Sequence, residues 1–274
     1  MKLFTLASLL AFSLIALPSL ASAQTPEPVR DAYEALYSDR AYKTTFTSDS
    51  SMEIIGVKII TKVNGSGYQD SNGNLEATIT TTLSDPSTKK KFSLPIELRY
   101  FSADDAVYFR IKKLPKDLSS GFSELKANVW YQKDGGDKVA SLMGQGEFYG
   151  EHFLNANEKY PAVRFIEKGS TKKEHVYAVS VNREMLPDFL EETARLNGKE
   201  STSVMSFVEE LLATTKGTFY VDKVSLLPKK VTIKQSKKPF LSQTEATYTF
   251  GGTKKVERPK GAIKSDVASG AIGI

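Results

Sequence analysis

The chain has 274 residues, no cysteine and a formal net charge of +5. Without cysteine there are no disulfides and no thiolate sites, so an exported chain of this kind must rest on its hydrophobic core. The length suits one well-cored domain or two small ones, and the charge is too mild to argue for nucleic acid.

The first elements belong to targeting. Met1 and Lys2 give a positive start, and Leu3 to Leu17 form an apolar run broken only by Thr5, Ser8 and Ser13. Pro18 ends any helix, and Ala21-Ser22-Ala23 supplies the small-x-small pattern of a signal peptidase site. The run is too short to span a bilayer comfortably, and no second one of about 18 residues follows. Residues 1–23 therefore read as a signal peptide cleaved near Ala23, and no cysteine follows to carry a lipid anchor. The expected product is soluble and exported, periplasmic or secreted.

A short linker at Pro26 and Pro28 precedes a predicted helix over Val29 to Tyr37. Strands begin near Met52, with Met52 to Asn64 rich in Ile and Val and followed by Gly65-Ser66-Gly67, which reads as a turn. Leu75, Ala77, Ile79, Thr81 and Leu83 alternate with polar partners, as do Phe92, Leu94, Ile96, Leu98 and Tyr100. That period of two marks strands wet on one face and apolar on the other. Val107, Phe109 and Ile111 continue the scheme, then Val129-Trp130-Tyr131. Gly135 to Lys159 reads as partly helical, and Glu174 to Val181 as a strand. Asn182 is placed to cap a helix whose face carries Met185, Leu186, Phe189, Leu190 and Leu196, closed by Asn197-Gly198. A second helix, Ser203 to Thr214, carries Val204, Phe207, Val208, Leu211 and Leu212. Strands return at Thr218 to Asp222, Lys229 to Gln235 and Leu241 to Phe250. Residues 24–252 then form a single domain, with 253–274 a polar C-terminal tail.

The expected fold class is α+β: a strongly curved antiparallel sheet, a half-barrel, with helices packed on its concave apolar face. Lysine clusters such as Lys89-Lys90-Lys91 and Lys237-Lys238 flank the strands, where they mark solvated faces or attract an anionic membrane surface.

Reactive motifs are weak. Asp70-Ser71-Asn72-Gly73-Asn74 begins like a calcium loop, but Leu75 replaces the required glycine and Thr81 the closing glutamate, so a hairpin turn is the better reading. Ser-x-x-Lys occurs at Ser87/Lys90, Ser123/Lys126 and Ser170/Lys173, as chance predicts, without a supporting Lys-Thr-Gly. His152 and His175 form no ligand pair, although Glu147, Glu151 and His152 are conceivable as a mixed set. Asp104-Asp105 and Glu191-Glu192 are adjacent and point apart rather than share a proton. The Asn64-Gly65-Ser66 sequon reads as a turn. No enzyme, no metal site and no cofactor is expected.

Three elements carry a family likeness. They are Val107-Tyr108-Phe109-Arg110-Ile111 with Val129-Trp130-Tyr131, then Tyr177 to Asn182 leading into Met185-Leu186-x-x-Phe189-Leu190. The third is Gly217 to Asp222 with Leu227-Pro228-Lys229-Lys230-Val231. In that order, across roughly residues 50 to 250, the chain resembles the LolA/LppX/LprG-like superfamily. The resemblance implies an unclosed β-barrel with internal helices that carries acyl chains of lipoproteins or envelope lipids. The missing anchor cysteine makes it similar to the soluble carrier branch. A ligand would then lie against Ile79, Leu94, Ile96, Leu98, Phe109, Leu186, Phe189, Phe207 and Leu211, although the same residues would form an ordinary core. Two functions follow as expectations. One is a soluble extracytoplasmic carrier of a lipid or acylated amphiphile, with a membrane surface or envelope protein as transient partner. The other is a non-enzymatic envelope protein with a filled core that acts through protein–protein contact.

Overall fold

In the computed structural model, residues 25–38, 40–54, 57–104, 106–114, 125–134, 147–196 and 206–264 are described. Residues 1–24 and 265–274 lie outside them. The strands are β1 (Tyr42–Ile54), β2 (Val57–Gln69), β3 (Leu75–Asp85), β4 (Lys90–Phe101), β5 (Ala106–Ile111) and β6 (Trp130–Asp134). They continue as β7 (Val163–Ser170), β8 (Glu174–Val181), β9 (Lys216–Asp222), β10 (Pro228–Lys237), β11 (Phe240–Phe250) and β12 (Ile263–Lys264). Among the described residues the α-helices are α1 (Glu27–Tyr37), α2 (Glu147–Lys159), α3 (Leu186–Leu196) and α4 (Ser206–Leu212).

All twelve strands join one sheet in the order β12-β6-β5-β4-β3-β2-β1-β11-β10-β9-β8-β7. Every pairing is antiparallel except that of β12 with β6. The two end strands do not meet, so the sheet is a curved, unclosed half-barrel. The two ends of the strand run converge at its middle, where β1 pairs with β11 over eleven residues, Tyr42 opposite Phe250 through Met52 opposite Phe240.

The predicted strand near Met52 is in fact the corner of a long hairpin. β1 runs through Lys43-Thr44-Thr45-Phe46-Thr47-Ser48-Asp49-Ser50-Ser51, a stretch without apolar alternation. Asn64-Gly65-Ser66 is no turn but the middle of β2. Gly65 stands opposite Phe46, and a Cβ on residue 65 would run into the Phe46 ring. The aromatic ring covers the place a side chain would fill, so a glycine-bearing segment stays in the strand.

Helix α1 begins in a proline-set turn, with Pro26 before its first residue and Glu27 in the first turn. It buries Val29, Ala32, Tyr33 and Leu36 at spacings of three and four. Asn182 caps less than expected: its Oδ1 accepts from the Glu184 amide at 3.3 Å, within a turn that precedes α3.

Residues 253–264 do not trail away as a polar tail. They cross the outer face of the sheet as a strap and end in β12 beside β6. Val256 is buried there with Tyr68, Phe101, Ala106 and Tyr108. The Tyr68 hydroxyl donates to the Lys254 carbonyl at 2.8 Å, and Arg99 donates to the Glu257 carbonyl. Residues 265–274 lie outside the description.

Candidate ligand-binding site

Strand register places the predicted apolar residues side by side on the concave face. Ile79 faces Ile96, which faces Ile111; Ala77 faces Leu98, which faces Phe109, which faces Tyr131. Phe109 and Tyr131 stack with centroids 5.3 Å apart. Leu186 and Phe189 on α3 close over this face. One apolar cluster unites Ile79, Leu94, Leu98, Phe109, Leu186 and Phe189, with Ile96 packed against it. None of the six is more than 4% exposed. Leu211 is equally buried, on α4, which packs on β10. Phe207 lies on the same helix, and its side chain falls outside the description. Register thus gathers the strand candidates, and helix packing adds Leu186 and Phe189.

Sequence reasoning did not find the other half of the cluster. Val29 and Tyr33 of α1 reach it, and so do Phe165, Tyr177 and Phe219 on β7 to β9. Those three rings pack edge-on, with Phe165 6.5 Å from Tyr177 and 6.1 Å from Phe219. Burial, with Glu167 nearby, raises the Tyr177 hydroxyl above its ordinary pKa.

More informative is a second set. Toward the end where the β1–β2, β3–β4 and β10–β11 turns lie, the concave face changes from apolar to hydroxyl-bearing. Thr81, Val63, Ser48 and Thr244 follow one another across four strands. The next row holds Thr61, Ser50, Ser242 and Gln235. All are buried. Ser48 and Thr244 share a hydrogen bond of 2.9 Å, and Gln235 donates to Thr215 at 3.0 Å. Ser48 and Thr244 satisfy each other and the Ser242 hydroxyl donates to Gln235 Oε1 at 3.4 Å, so this end of the interior is polar without being charged. The alternation of Ser48, Ser50 and of Ser242, Thr244 was the available signal.

The helix cover is held by a charge clamp. Glu192 of α3 receives Arg195 at 2.7 and 2.9 Å and Lys159 of α2 at 3.2 Å. The Arg195 hydrogen bond, joined by that of Lys159 and opposed by burial, lowers the Glu192 carboxyl to about 2. A depressed carboxylate contributes stability above its unfolded pKa and loses it as pH falls through the folded one. Glu192→Gln is therefore expected to lower the melting temperature at pH 7, and to converge with the parent as pH falls from about 4.5 toward 2. Thermal melts at both ends of that range check it.

The outer face carries a different arrangement. A groove of about 360 Å³ lies over Thr45, Ser66 and Thr78, edged by Glu76, Arg99 and Lys254. Its charges neutralise one another: Glu76 pairs with Lys254 and, at 4.0 Å, with Arg99. Arg99 and Arg110 both lie over Trp130, at 5.1 and 4.6 Å from the ring centroid. Glu97 joins Arg110 to Lys112. This lattice fastens strands and strap.

Among the described residues no three of His, Asp and Glu are grouped to hold a metal ion. Glu147 and Glu151 carry side chains outside the description. Asp70 is structural, because its oxygens accept from the amides of Asn72 (2.9 Å), Asn74 (3.0 Å) and Val256 (3.0 Å) and from Asn74 Nδ2 (3.2 Å). His175 Nδ1 lies 3.3 Å from Glu167 Oε1 on the neighbouring strand. No described helix is long and apolar enough to cross a membrane.

No protein-family model matches the chain, and no curated protein does. Among solved structures, a DUF1329 family protein from Desulfovibrio piger aligns over 82% of this chain and 92% of its own, at 10% identity and a TM-score of 0.24.

Proposed function

We propose that this chain is an extracytoplasmic, non-enzymatic carrier of a lipid or acylated amphiphile, held without covalent bonds between the concave sheet and its helices. The observation that carries the reading is the two-toned concave face. An apolar stretch around Ile79, Leu98 and Phe109 runs into the hydroxyl rows of Ser48, Thr81 and Thr244. An acyl chain suits the first and a hydrogen-bonding head the second. Each methylene moved from water into such a site contributes about 0.8 kcal/mol. Helices, unlike a second sheet, share no ladder of backbone hydrogen bonds with the sheet; side-chain packing holds them, with a few side-chain bonds such as that of Asn157 on α2 to the Val163 backbone and of Glu210 on α4 to Lys237. The resemblance to the LolA/LppX/LprG-like superfamily and the signal-like first 23 residues support the same reading.

The tightness of the cluster favours a second reading, an envelope protein with a filled core that works through protein contact. Native mass spectrometry of residues 24–274, purified from a periplasm without detergent, separates the two. The carrier reading expects a bound mass released as lipid on denaturation. A chain that stays free of ligand after incubation with envelope lipids overturns it.

A further inference from the structure

Three hairpin turns lie next to one another at one end of the half-barrel, because β4, β3, β2, β1, β11 and β10 are consecutive neighbours. They join β3 to β4, β1 to β2 and β10 to β11. The Glu53 amide donates to the Pro239 carbonyl at 3.1 Å, tying the last two together. Residues 52–60, 85–91 and 237–241 carry six lysines, Lys58, Lys89, Lys90, Lys91, Lys237 and Lys238, against two carboxylates, Glu53 and Asp85. All but Lys237, which pairs with Glu210 at 2.9 Å, are exposed. Asp85 is turned inward on its own loop, accepting from Ser87 and Thr88. Beside the lysines Leu241 is 47% exposed, and Ile59 and Ile60 are half-buried. The opposite end is balanced: residues 70–74, 171–174 and 222–227 carry three lysines and three carboxylates.

We infer that this lysine-rimmed end docks on the anionic surface of a lipid bilayer. Charge complementarity selects the partner. Lysines gathered in the turns and in the strand ends beside them meet a plane of anionic head groups, where each contributes to binding within a Debye length. A partly exposed leucine at the same rim suits the acyl boundary and has no use on a phosphate backbone. Nucleic acid is disfavoured because no exposed aromatic residue stands among the described residues of these turns to stack a base. Docking presents the hydroxyl-bearing end of the concave face to the membrane. The inference stands without the cargo reading, since docking requires only the rim.

The test is flotation of the full mature chain with phosphatidylcholine vesicles, with and without phosphatidylglycerol, alongside three variants. Binding is expected only to the anionic vesicles, and to vanish at high salt. Lys89→Glu/Lys90→Glu/Lys238→Glu is expected to weaken it about tenfold or more. Lys172→Glu/Lys173→Glu/Lys223→Glu, the same charge change at the other end, is expected to bind like the parent. Leu241→Ser is expected to weaken binding modestly, and by a similar factor at each salt concentration at which the parent binds. Equal loss in both triple variants, no binding to anionic vesicles, or tighter binding to a single-stranded oligonucleotide than to vesicles would overturn the inference. Circular dichroism of each variant guards against misfolding. A docking chain that carries no lipid in native mass spectrometry refutes the cargo reading alone.

Discussion

Phe109→Ala is expected to cost about 3–5 kcal/mol of folding free energy, the usual range for removing a fully buried phenyl group. Phe109 is 1% exposed, stacked on Tyr131, and faces Leu98 across the ladder. Its neighbours come from β4 and β6, two strands whose backbones are fixed by their own pairing, so the void has little means of collapsing. The cost therefore includes the cavity as well as the lost transfer free energy. Urea denaturation should show a lower midpoint with an unchanged slope. Leu241→Ala, at a site 47% exposed, should stay within about 0.5 kcal/mol of the parent. A Phe109→Ala variant as stable as the parent would mean that the concave face is not packed as described.

Phe109 was legible in the sequence because Val107, Phe109 and Ile111 fall at alternate positions, although the outer face of β5 is itself covered, with Tyr108 buried beneath the strap. The same spacing marks Leu75 to Leu83 and Phe92 to Tyr100, whose pairing emerged in the expected antiparallel order. β1 was hidden for the opposite reason. Its inward positions near the open end are Ser48 and Ser50, so inward and outward residues look equally polar. Gly65 and Gly67 read as a turn because the residue that makes them tolerable, Phe46, belongs to another strand and meets Gly65 only through register. β7 showed just two buried apolar residues, Val163 and Phe165, before turning wholly exposed at the sheet edge. The candidate site inherits the same logic. An apolar lining and an apolar core demand the same side chains, so periodicity names the face and not its occupant. The hydroxyl rows acquire meaning only when register aligns four strands.

Asp70→Ala is expected to remove about 3 kcal/mol and to free the strap at the same time. Asp70 is 1% exposed and sits where the β2–β3 turn meets residues 253–264. Burial pushes its carboxyl pKa up, but the amides of Val256 and Asn72 and the side chain and amide of Asn74 outweigh that, leaving it below the ordinary value. Without the carboxylate, the buried Val256 amide has no acceptor, and an unmet buried donor costs more than the bond was worth. Val256 then loses its place among Tyr68, Phe101 and Tyr108, which leaves the strap to the short pairing of β12 with β6 and to the bonds it receives from Tyr68, Glu76 and Arg99. Trypsin should consequently cut at Lys254 and Lys255 far faster in the variant than in the parent. The sign with pH follows from the lowered pKa. The unfolded chain binds the proton more readily, so the contribution is complete above about pH 5 and fades as pH falls below about 4. Asp70→Asn keeps one acceptor but brings an amide group toward donors, so it should fall between parent and Ala and lose the pH dependence. If Asp70→Ala speeds proteolysis without moving the urea midpoint, the strap is an appendage. If both move together, the strap and the half-barrel unfold as one unit.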